Sequence, residues 1–317
     1  MEQVQTQNSF EDFHGKDFGN ITDIIWDGDN TIWDWMKYAV EAYEAMAKAI
    51  AHETNIAEDD VVAAMKKFYT KAGTIEDAGL IQGMVEEGFF KSVPDFDQNK
   101  LIEKAQKAFT HERKKHLKVY PGIHKVIKTV AENGIRNRIL TDAPSGQAGQ
   151  RIRRSKINPF LSQVNAQPAR AVKDLPPKFL KREQRGLYSL DFEITEVPWE
   201  KPYSNLEEIL KMTREQIRKH VVIIGDNDKK DMELARLYGC RGIHAVYGET
   251  HESLLKRLLR FAPERVAKKN VALKGTSGTD GKEQHGEPAA DHRGKIIKVT
   301  DPYEILKILG IKSKRKW

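Results

Sequence analysis

Two aspartates separated by one glycine follow directly after a short apolar run of the chain. Residues 24–26 (Ile-Ile-Trp) form the run, and Asp27, Gly28 and Asp29 come next. Such a run is typical of a buried strand in a parallel sheet, and Gly28 lets the backbone turn so that both carboxylates can face one pocket. Two carboxylates this close repel each other, and a hard divalent ion such as Mg²⁺ relieves the repulsion by taking oxygen ligands. Because Asp and Gly are also ordinary turn residues, the pair alone leaves a simple turn as the alternative.

Two further apolar stretches also end at polar residues. Residues 136–140 are predicted to form a strand that ends at Thr141, and residues 221–224 form a strand that runs through a glycine into Asp226. In an open parallel α/β sheet, ligands bind outside the carboxyl ends of the strands. We therefore expect Asp27, Thr141 and Asp226 to meet in one pocket.

The segments that carry these residues resemble the motifs of the haloacid dehalogenase-like (HAD) superfamily, most of whose members are Mg²⁺-dependent phosphatases. The matching segments, in the order of the family, are residues 27–32 (Asp-Gly-Asp-Asn-Thr-Ile), Thr141, Lys201 before Pro202, and residues 225–231 (Gly-Asp-Asn-Asp-Lys-Lys-Asp). Together they cover Asp23 to Tyr238. The stretch between Thr141 and Lys201 is longer than an ordinary crossover, which leaves Lys173 as the alternative lysine of the third motif.

The resemblance implies a chemical role for the residues of the first two motifs. Asp27 would attack the phosphorus of a phosphate monoester and form an aspartyl-phosphate. Asp29 would protonate the leaving oxygen and then activate the water that cleaves the intermediate. The Thr141 hydroxyl would bind the phosphoryl group, with Gly28 and Asp142 beside it. Dehalogenases and phosphonatases of the family lack a carboxylate at the position of Asp29, so its presence favours phosphate-ester hydrolysis, with phosphomutase activity as the alternative.

The resemblance also implies cations that offset the charge of the reacting anions. Mg²⁺ would be bound by Asp27, by the backbone carbonyl of Asp29 and by Asp226. Asp231 would be a supporting acid or an indirect ligand through water. Lys201 would act as a positive point charge that binds the phosphate and offsets the negative charge of the nucleophile.

A helical block is predicted directly after the aspartate pair, over residues 36–118. Helical patterns cover about residues 33–50, 58–71, 75–90 and 98–115, with no convincing strand among them. The block resembles a C1 cap, which closes over the site and excludes water and bulky substrates. A capped site favours a small phosphorylated metabolite, such as a phosphoglycolate-like acid, a sugar phosphate or a nucleotide.

The rest of the chain alternates strands and helices, which predicts an α/β fold with a Rossmann-like three-layer core and a parallel sheet. We assign the core to residues 21–35 and 119–317, with the all-helical cap inserted after the first strand. Residues 1–20 form a polar N-terminal segment. Residues 166–199 are predicted to be a basic insertion, and residues 274–294 a mobile loop because they are rich in Gly, Ser and Thr.

Basic residues outnumber acidic ones by 53 to 46, which gives a net charge of +7. The excess is concentrated in clusters at residues 111–115, 151–154 and 312–316. Such clusters are usually solvated helix faces or tails, and the alternative is a polyanionic partner. The clusters motivate a second function, a phosphatase acting on nucleic-acid ends or phosphoproteins. A third, from another class, is a binding or scaffold protein that keeps the fold but turns over little.

The cysteine content and the hydropathy pattern bear on the compartment. The single cysteine, Cys240, excludes an internal disulfide framework and fits a reducing environment. The longest purely aliphatic run, residues 221–224, is too short to span a membrane, and residues 1–20 lack the pattern of a signal peptide. We therefore expect a cytoplasmic protein without membrane contact, and the oligomeric state stays open.

Overall fold

The structure is a computed structural model, and the residues that it describes are 20–77, 79–168, 194–264 and 295–311. Lys173, most of the predicted basic insertion and the loop predicted at residues 274–294 lie outside the described residues. The basic cluster at residues 312–316 also lies outside them.

Seven strands in the described part of the chain form one parallel sheet. They are β1 (Asp23–Trp26), β2 (Arg136–Pro144), β3 (Leu161–Gln167), β4 (Ile194–Glu196), β5 (Val221–Gly225), β6 (Arg241–Ala245) and β7 (Ile296–Val299). The order across the sheet is β4-β3-β2-β1-β5-β6-β7. The central strand β1 therefore pairs with β2 on one side and with β5 on the other. This arrangement confirms the predicted parallel α/β fold.

Helices cover both faces of the sheet and also form a separate block. In chain order they are α1 (Trp35–Thr54), α2 (Glu58–Ala72), α3 (Leu80–Glu86), α4 (Gln98–His116), α5 (Ile123–Glu132), α6 (Ser145–Ser155), α7 (Leu206–Leu210), α8 (Arg214–His220), α9 (Glu233–Tyr238), α10 (Glu252–Leu258) and α11 (Tyr303–Ile308). Alternate residues of β1 point to opposite faces. Ile24 and Trp26 pack with α5, α6 and α11, whereas Ile25 packs with α7, α8 and α9. The result is the expected three-layer core.

The helices α1 to α4, here called the helical block, lie between β1 and β2 in the chain and share an apolar core of their own. Val40, Ile50 and Met65 are fully buried in it. Leu258 and Phe261, at the end of α10, also belong to this core. The later part of the chain is therefore packed against the block, which the sequence pattern did not indicate.

Two predicted elements differ in extent from the observed ones. The helix predicted over residues 75–90 is only α3, because α2 ends at Gly73 in the left-handed conformation and a loop follows. The strand predicted to end at Leu140 continues to Pro144, because β2 stays paired with β3 beyond Thr141. Thr141 and Asp142 therefore lie within the last part of the strand.

No helix among the described residues is both long enough and apolar enough to cross a membrane.

Gly248 lies in a short helical turn after β6, packed against the backbone that follows the aspartate pair. A Cβ atom at this position would lie 1.6 Å from the carbonyl oxygen of Asn30. We expect Gly248→Ala to lower the free energy of unfolding by about 3 kcal/mol, because the backbone cannot move aside as a side chain can. Gly73→Ala is the control, since it meets open space and carries only the cost of a positive φ, about 1 kcal/mol. Urea denaturation measures the free energy of unfolding of both variants, and an equal decrease in the two would contradict the expectation.

Candidate active site

Asp27 and Gly28 lie at the carboxyl end of the central strand, where the chain turns back on itself. The Asp27 amide donates a hydrogen bond to the Ile224 carbonyl at 2.8 Å, which continues the pairing of β1 with β5. The Gly28 carbonyl accepts from the amide of Trp33 at 3.1 Å and closes the turn. A Cβ atom at Gly28 would lie 2.7 Å from the Trp33 ring and 3.1 Å from the Thr141 hydroxyl oxygen. Glycine is therefore needed here for space.

Three buried aspartates converge beside this turn. Asp27, Asp226 and Asp231 each offer a carboxylate oxygen, and these atoms lie within 4.8 Å of one another. The Oδ2 atom of Asp226 is buried without a hydrogen-bond partner. Gly225 permits the cluster, because a Cβ atom there would lie 2.2 Å from the Asp231 carboxyl carbon. An all-oxygen donor set with an unpaired carboxylate oxygen fits a hard divalent cation.

Lys201 is the cation nearest to the cluster, and it is only 5% exposed. Its Nζ atom donates to Asp27 Oδ1, and to Asp231 Oδ1 at 2.5 Å. Its backbone amide donates to Asp142 Oδ1 at 3.2 Å, while Lys230 Nζ donates to Asp142 Oδ2 at 2.6 Å. Asp142 therefore holds two lysines at the rim of the pocket.

The charges of these groups depend on one another. Burial raises the pKa of Asp27 to about 7, and Asp231 adds to the rise while Lys201 opposes it. Burial and the neighbouring aspartates also raise the pKa of Asp226. Burial would lower the pKa of Lys201, but the carboxylates around it raise that pKa well above its ordinary value, so Lys201 stays charged. Ionising Asp27 and Asp226 together beside one lysine is therefore unfavourable without a further cation.

Asp29 is bound by an arginine that the sequence did not point to. Arg151 Nη1, from α6, donates to both carboxylate oxygens of Asp29 at 2.8 and 2.7 Å. Arg151 Nη2 donates to the Tyr38 hydroxyl at 2.8 Å and to Glu76 Oε1. Trp35 Nε1 donates to the same Glu76 oxygen at 3.0 Å. Burial raises the pKa of Asp29 to about 8, although Arg151 opposes the rise.

The prediction that the cluster at residues 151–154 is solvated is wrong for its first member. Arg151 is 1% exposed, because it lies on the side of α6 that also buries Ala148 and Ile152. Arg113, in the cluster at residues 111–115, is 6% exposed. Arg151 lies three residues after Ala148 and next to Ile152, and this spacing was the available signal that its side chain faces the apolar side of the helix. The two arginines that follow it indicated a solvent-exposed surface instead.

One pocket brings together every predicted site side chain that the structure describes. Its lining residues are Asp27, Asp29, Glu76, Thr141, Asp142, Ala143, Lys201, Asp226, Asn227, Lys230 and Asp231. The Thr141 hydroxyl is the one hydroxyl among these lining side chains, and it accepts a hydrogen bond from the Ala143 amide at 3.2 Å. The pocket thus contains a carboxylate at the end of the central strand, a hydroxyl and two lysines.

Models of protein families match two parts of the chain. The model described as haloacid dehalogenase-like hydrolase matches residues 24–170, and the HAD-hydrolase-like model matches residues 199–272. No curated protein matches the chain.

Solved structures resemble the chain at low sequence identity. A 2-haloacid dehalogenase from Pseudomonas syringae is 13% identical with a TM-score of 0.48, and the match covers 92% of this chain and 98% of that one. A HAD phosphatase from Thermococcus onnurineus is 14% identical with a TM-score of 0.47, covering 92% and 98%. The HAD-hydrolase YfnB from Bacillus subtilis, in a form bound to magnesium, is 14% identical with a TM-score of 0.42, covering 92% and 100%.

Arg151→Met should be strongly destabilising, because it leaves the carboxylates of Asp29 and Glu76 buried without their shared cation. We expect a loss of about 3–5 kcal/mol in the free energy of unfolding. Arg153→Met is the matched control on the same helix, where the side chain is exposed, and a change within about 0.5 kcal/mol is expected. Urea denaturation of both variants checks the difference. A similar small change in both would show that the buried ion pairs contribute little.

Proposed function

The chain belongs to the haloacid dehalogenase-like hydrolases, and we propose that it is a Mg²⁺-dependent phosphatase that hydrolyses a small phosphorylated metabolite through an aspartyl-phosphate. The observation that carries the proposal is the position of the Asp27 carboxylate, at the end of the central strand and in contact with Lys201. Asp29, Thr141 and Asp226 line the same pocket. A nucleophile, an acid, a hydroxyl and a cation therefore surround one space.

Asp27 is the nucleophile in this proposal. One of its oxygens forms a bond to phosphorus as the bond from phosphorus to the ester oxygen breaks. Lys201 offsets the repulsion between the carboxylate and the phosphate, and the Thr141 hydroxyl donates to a phosphoryl oxygen. Lys230, held by Asp142 at the rim of the pocket, adds positive charge on the side of entry.

Asp29 is the general acid and base. Its raised pKa supports a protonated fraction near neutral pH, which can donate a proton to the leaving oxygen. The ionised Asp29 then takes a proton from the water that attacks phosphorus, as the bond to Asp27 breaks and phosphate leaves. Arg151 fixes the orientation of the Asp29 carboxylate between these steps.

Asp27 and Asp226 are the side chains that would hold the divalent ion, with the backbone carbonyl of Asp29. The unpaired oxygen of Asp226 and the convergence of three carboxylates support this assignment. Asp231 is engaged by Lys201 and by the Asn227 amide, which favours a supporting role. When bound, Mg²⁺ would neutralise charge on the phosphate and on the carboxylates around it.

The helical block acts as the cap of this site. Glu76, in the loop between α2 and α3, lines the same pocket as Asp27, which supports a position of the block over the reacting groups. A covered pocket excludes water and holds a small leaving group near Asp29, whereas a phosphorylated protein or a duplex end would have to displace the block. The small substrate is therefore favoured.

Asp27→Asn should lower the turnover of para-nitrophenyl phosphate by at least about a thousandfold, because an amide cannot attack phosphorus. The variant should remain folded, since Asn has the same shape and Lys201 keeps Asp231 as a partner. Asp59→Asn is the control, with a side chain that is 96% exposed on the helical block. Retention of most of the turnover in Asp27→Asn would exclude the aspartyl-phosphate.

Asp226→Ala should raise the Mg²⁺ concentration needed for half-maximal activity by at least about tenfold, because it removes a ligand. The measurement is the rate of hydrolysis across a MgCl₂ titration after removal of bound metal with a chelator. An unchanged metal dependence would place the ion elsewhere.

Mg²⁺ should bind more weakly at pH 6 than at pH 8. The metal takes the ionised carboxylates, and the pKa of Asp27 in the metal-free protein is about 7, so binding below that pH must displace a proton. The affinity should therefore rise with pH by at least about tenfold between the two conditions, because the pKa of Asp226 is raised as well. Calorimetric titration with MgCl₂ at both pH values measures the change, and equal affinities would contradict it.

A further inference from the structure

A buried histidine on β6 lies beside the strand that carries Asp226. His244 is 1% exposed, and in the parallel pairing of β5 with β6 it stands opposite Gly225, the residue before Asp226. Because successive side chains of a strand point to opposite faces, Ile243 and Ala245 enter an apolar core of the sheet while the imidazole faces the other way. A polar ring that is buried this deeply needs a hydrogen-bond partner.

The imidazole of His244 binds the backbone of Asp226. Its Nε2 atom lies 2.8 Å from the Asp226 carbonyl oxygen and 3.5 Å from Oε1 of Glu249, which is also buried. Both neighbours of Nε2 are acceptors, so the ring hydrogen resides on Nε2 and is donated to the carbonyl. The Nδ1 atom is buried without a hydrogen-bond partner among the described residues. The contacts of Nε2 therefore set the orientation of the ring.

The peptide group that His244 binds lies where the chain leaves β5. Beyond it the turn is closed, because the Asn227 amide donates to Asp231 Oδ2 at 3.1 Å and the Asp231 amide donates to the Asn227 carbonyl at 2.8 Å. The Asp226 carboxylate itself is held loosely: Oδ1 accepts from the Thr31 hydroxyl at 3.4 Å, which is long for such a bond, and Oδ2 has no partner. The direction of this carboxylate therefore depends mainly on the backbone that His244 holds.

The turn that follows β6 supports the same backbone from a second direction. The Tyr247 hydroxyl donates to the Thr31 carbonyl at 3.0 Å, and a Cβ atom at Gly248 would lie 3.1 Å from the Cβ atom of Asp226. His244 therefore acts from a strand and a turn that are packed directly against the loops of the pocket. A donor on such a rigid element can fix a backbone carbonyl more precisely than a donor on a mobile loop.

We infer that His244 is a positioning residue for the divalent cation: its Nε2–H group holds the Asp226 carbonyl so that the Asp226 carboxylate is oriented for binding the ion. His244 contacts neither the ion nor the substrate, and it acts through Asp226. The inference rests on the metal site of the proposed phosphatase function and adds to it a residue from β6. Partners that orient a metal ligand in this way typically contribute about 10- to 100-fold to metal affinity.

The test is calorimetric titration of the full chain with MgCl₂ at pH 8. His244→Leu should raise the Kd for Mg²⁺ by at least about tenfold, because it removes the donor. His244→Gln should stay within about threefold of the wild type, since its amide nitrogen reaches the position of Nε2, whereas the shorter His244→Asn should bind as weakly as His244→Leu. The comparison of Gln with Asn decides the question even where the Leu variant does not fold. Equal Kd values in the wild type, Gln and Asn proteins would overturn the inference.

A matched control distinguishes positioning from a general loss of packing. Ile243→Ala alters the neighbouring residue of β6, which is fully buried in the apolar core on the opposite face. It should lower the urea concentration at the midpoint of unfolding but leave the Kd for Mg²⁺ within about twofold of the wild type. Weakening of Mg²⁺ binding by Ile243→Ala as large as that by His244→Leu would overturn the role of His244.

The same titrations separate failure of this inference from failure of the phosphatase proposal. The expected order of Mg²⁺ affinities, without turnover of para-nitrophenyl phosphate or any other ester, would support the role of His244 and overturn the phosphatase proposal. Mg²⁺-dependent turnover with affinities that do not respond to His244 would overturn the inference alone. Absence of Mg²⁺ binding to the wild-type chain would overturn both.

Discussion

Carboxylates are concentrated at the ends of the central strands, and the rest of the structure must supply cations that offset their charge. Six carboxylates line one pocket: Asp27, Asp226 and Asp231 are buried, and Asp29, Glu76 and Asp142 are half-buried. A buried charge is tolerated only when it is paired and hydrogen-bonded, and an unpaired one costs several kcal/mol. Three cations form ion pairs with these carboxylates, and each comes from a different element: Lys201 from the loop after β4, Lys230 from the turn after β5, and Arg151 from α6. The ends of β1, β2 and β5 bring five of the acids together, the helical block adds Glu76, and helices and loops supply the cations.

This compensation also joins the helical block to the core. Arg151 belongs to the core, and its guanidinium binds Asp29 on one side and Glu76 and Tyr38 of the block on the other. The apolar contact made by α10 with the block adds a second connection. The contact between the block and the core therefore depends on both packing and charge, and a change in either would alter the surroundings of Asp29.

The sequence predicted the fold and the candidate pocket better than it predicted the partners inside that pocket. Short apolar strands that end in polar residues are local patterns, so β1, β5 and the placement of Asp27 and Asp226 could be inferred before the structure was known. Glu76 and Arg151 are separated by 75 residues in the chain, and Arg151 and Asp29 by 122, so no local pattern links them. The extension of β2 depends on pairing with β3, which is likewise a long-range contact. Lys201 lines the pocket, whereas Lys173 lies outside the described residues, so the assignment of Lys201 to the third motif stays a prediction.

Glu76 links the helical block to the electrostatics of the pocket. Its carboxylate binds Arg151, which also binds Asp29, and it lines the same pocket as Asp27. Arg151 opposes the rise in the pKa of Asp29, whereas the negative charge of Glu76 adds to it. Because Arg151 is a buried cation between these two acids, a change at Glu76 alters both the contact between block and core and the charge of Asp29.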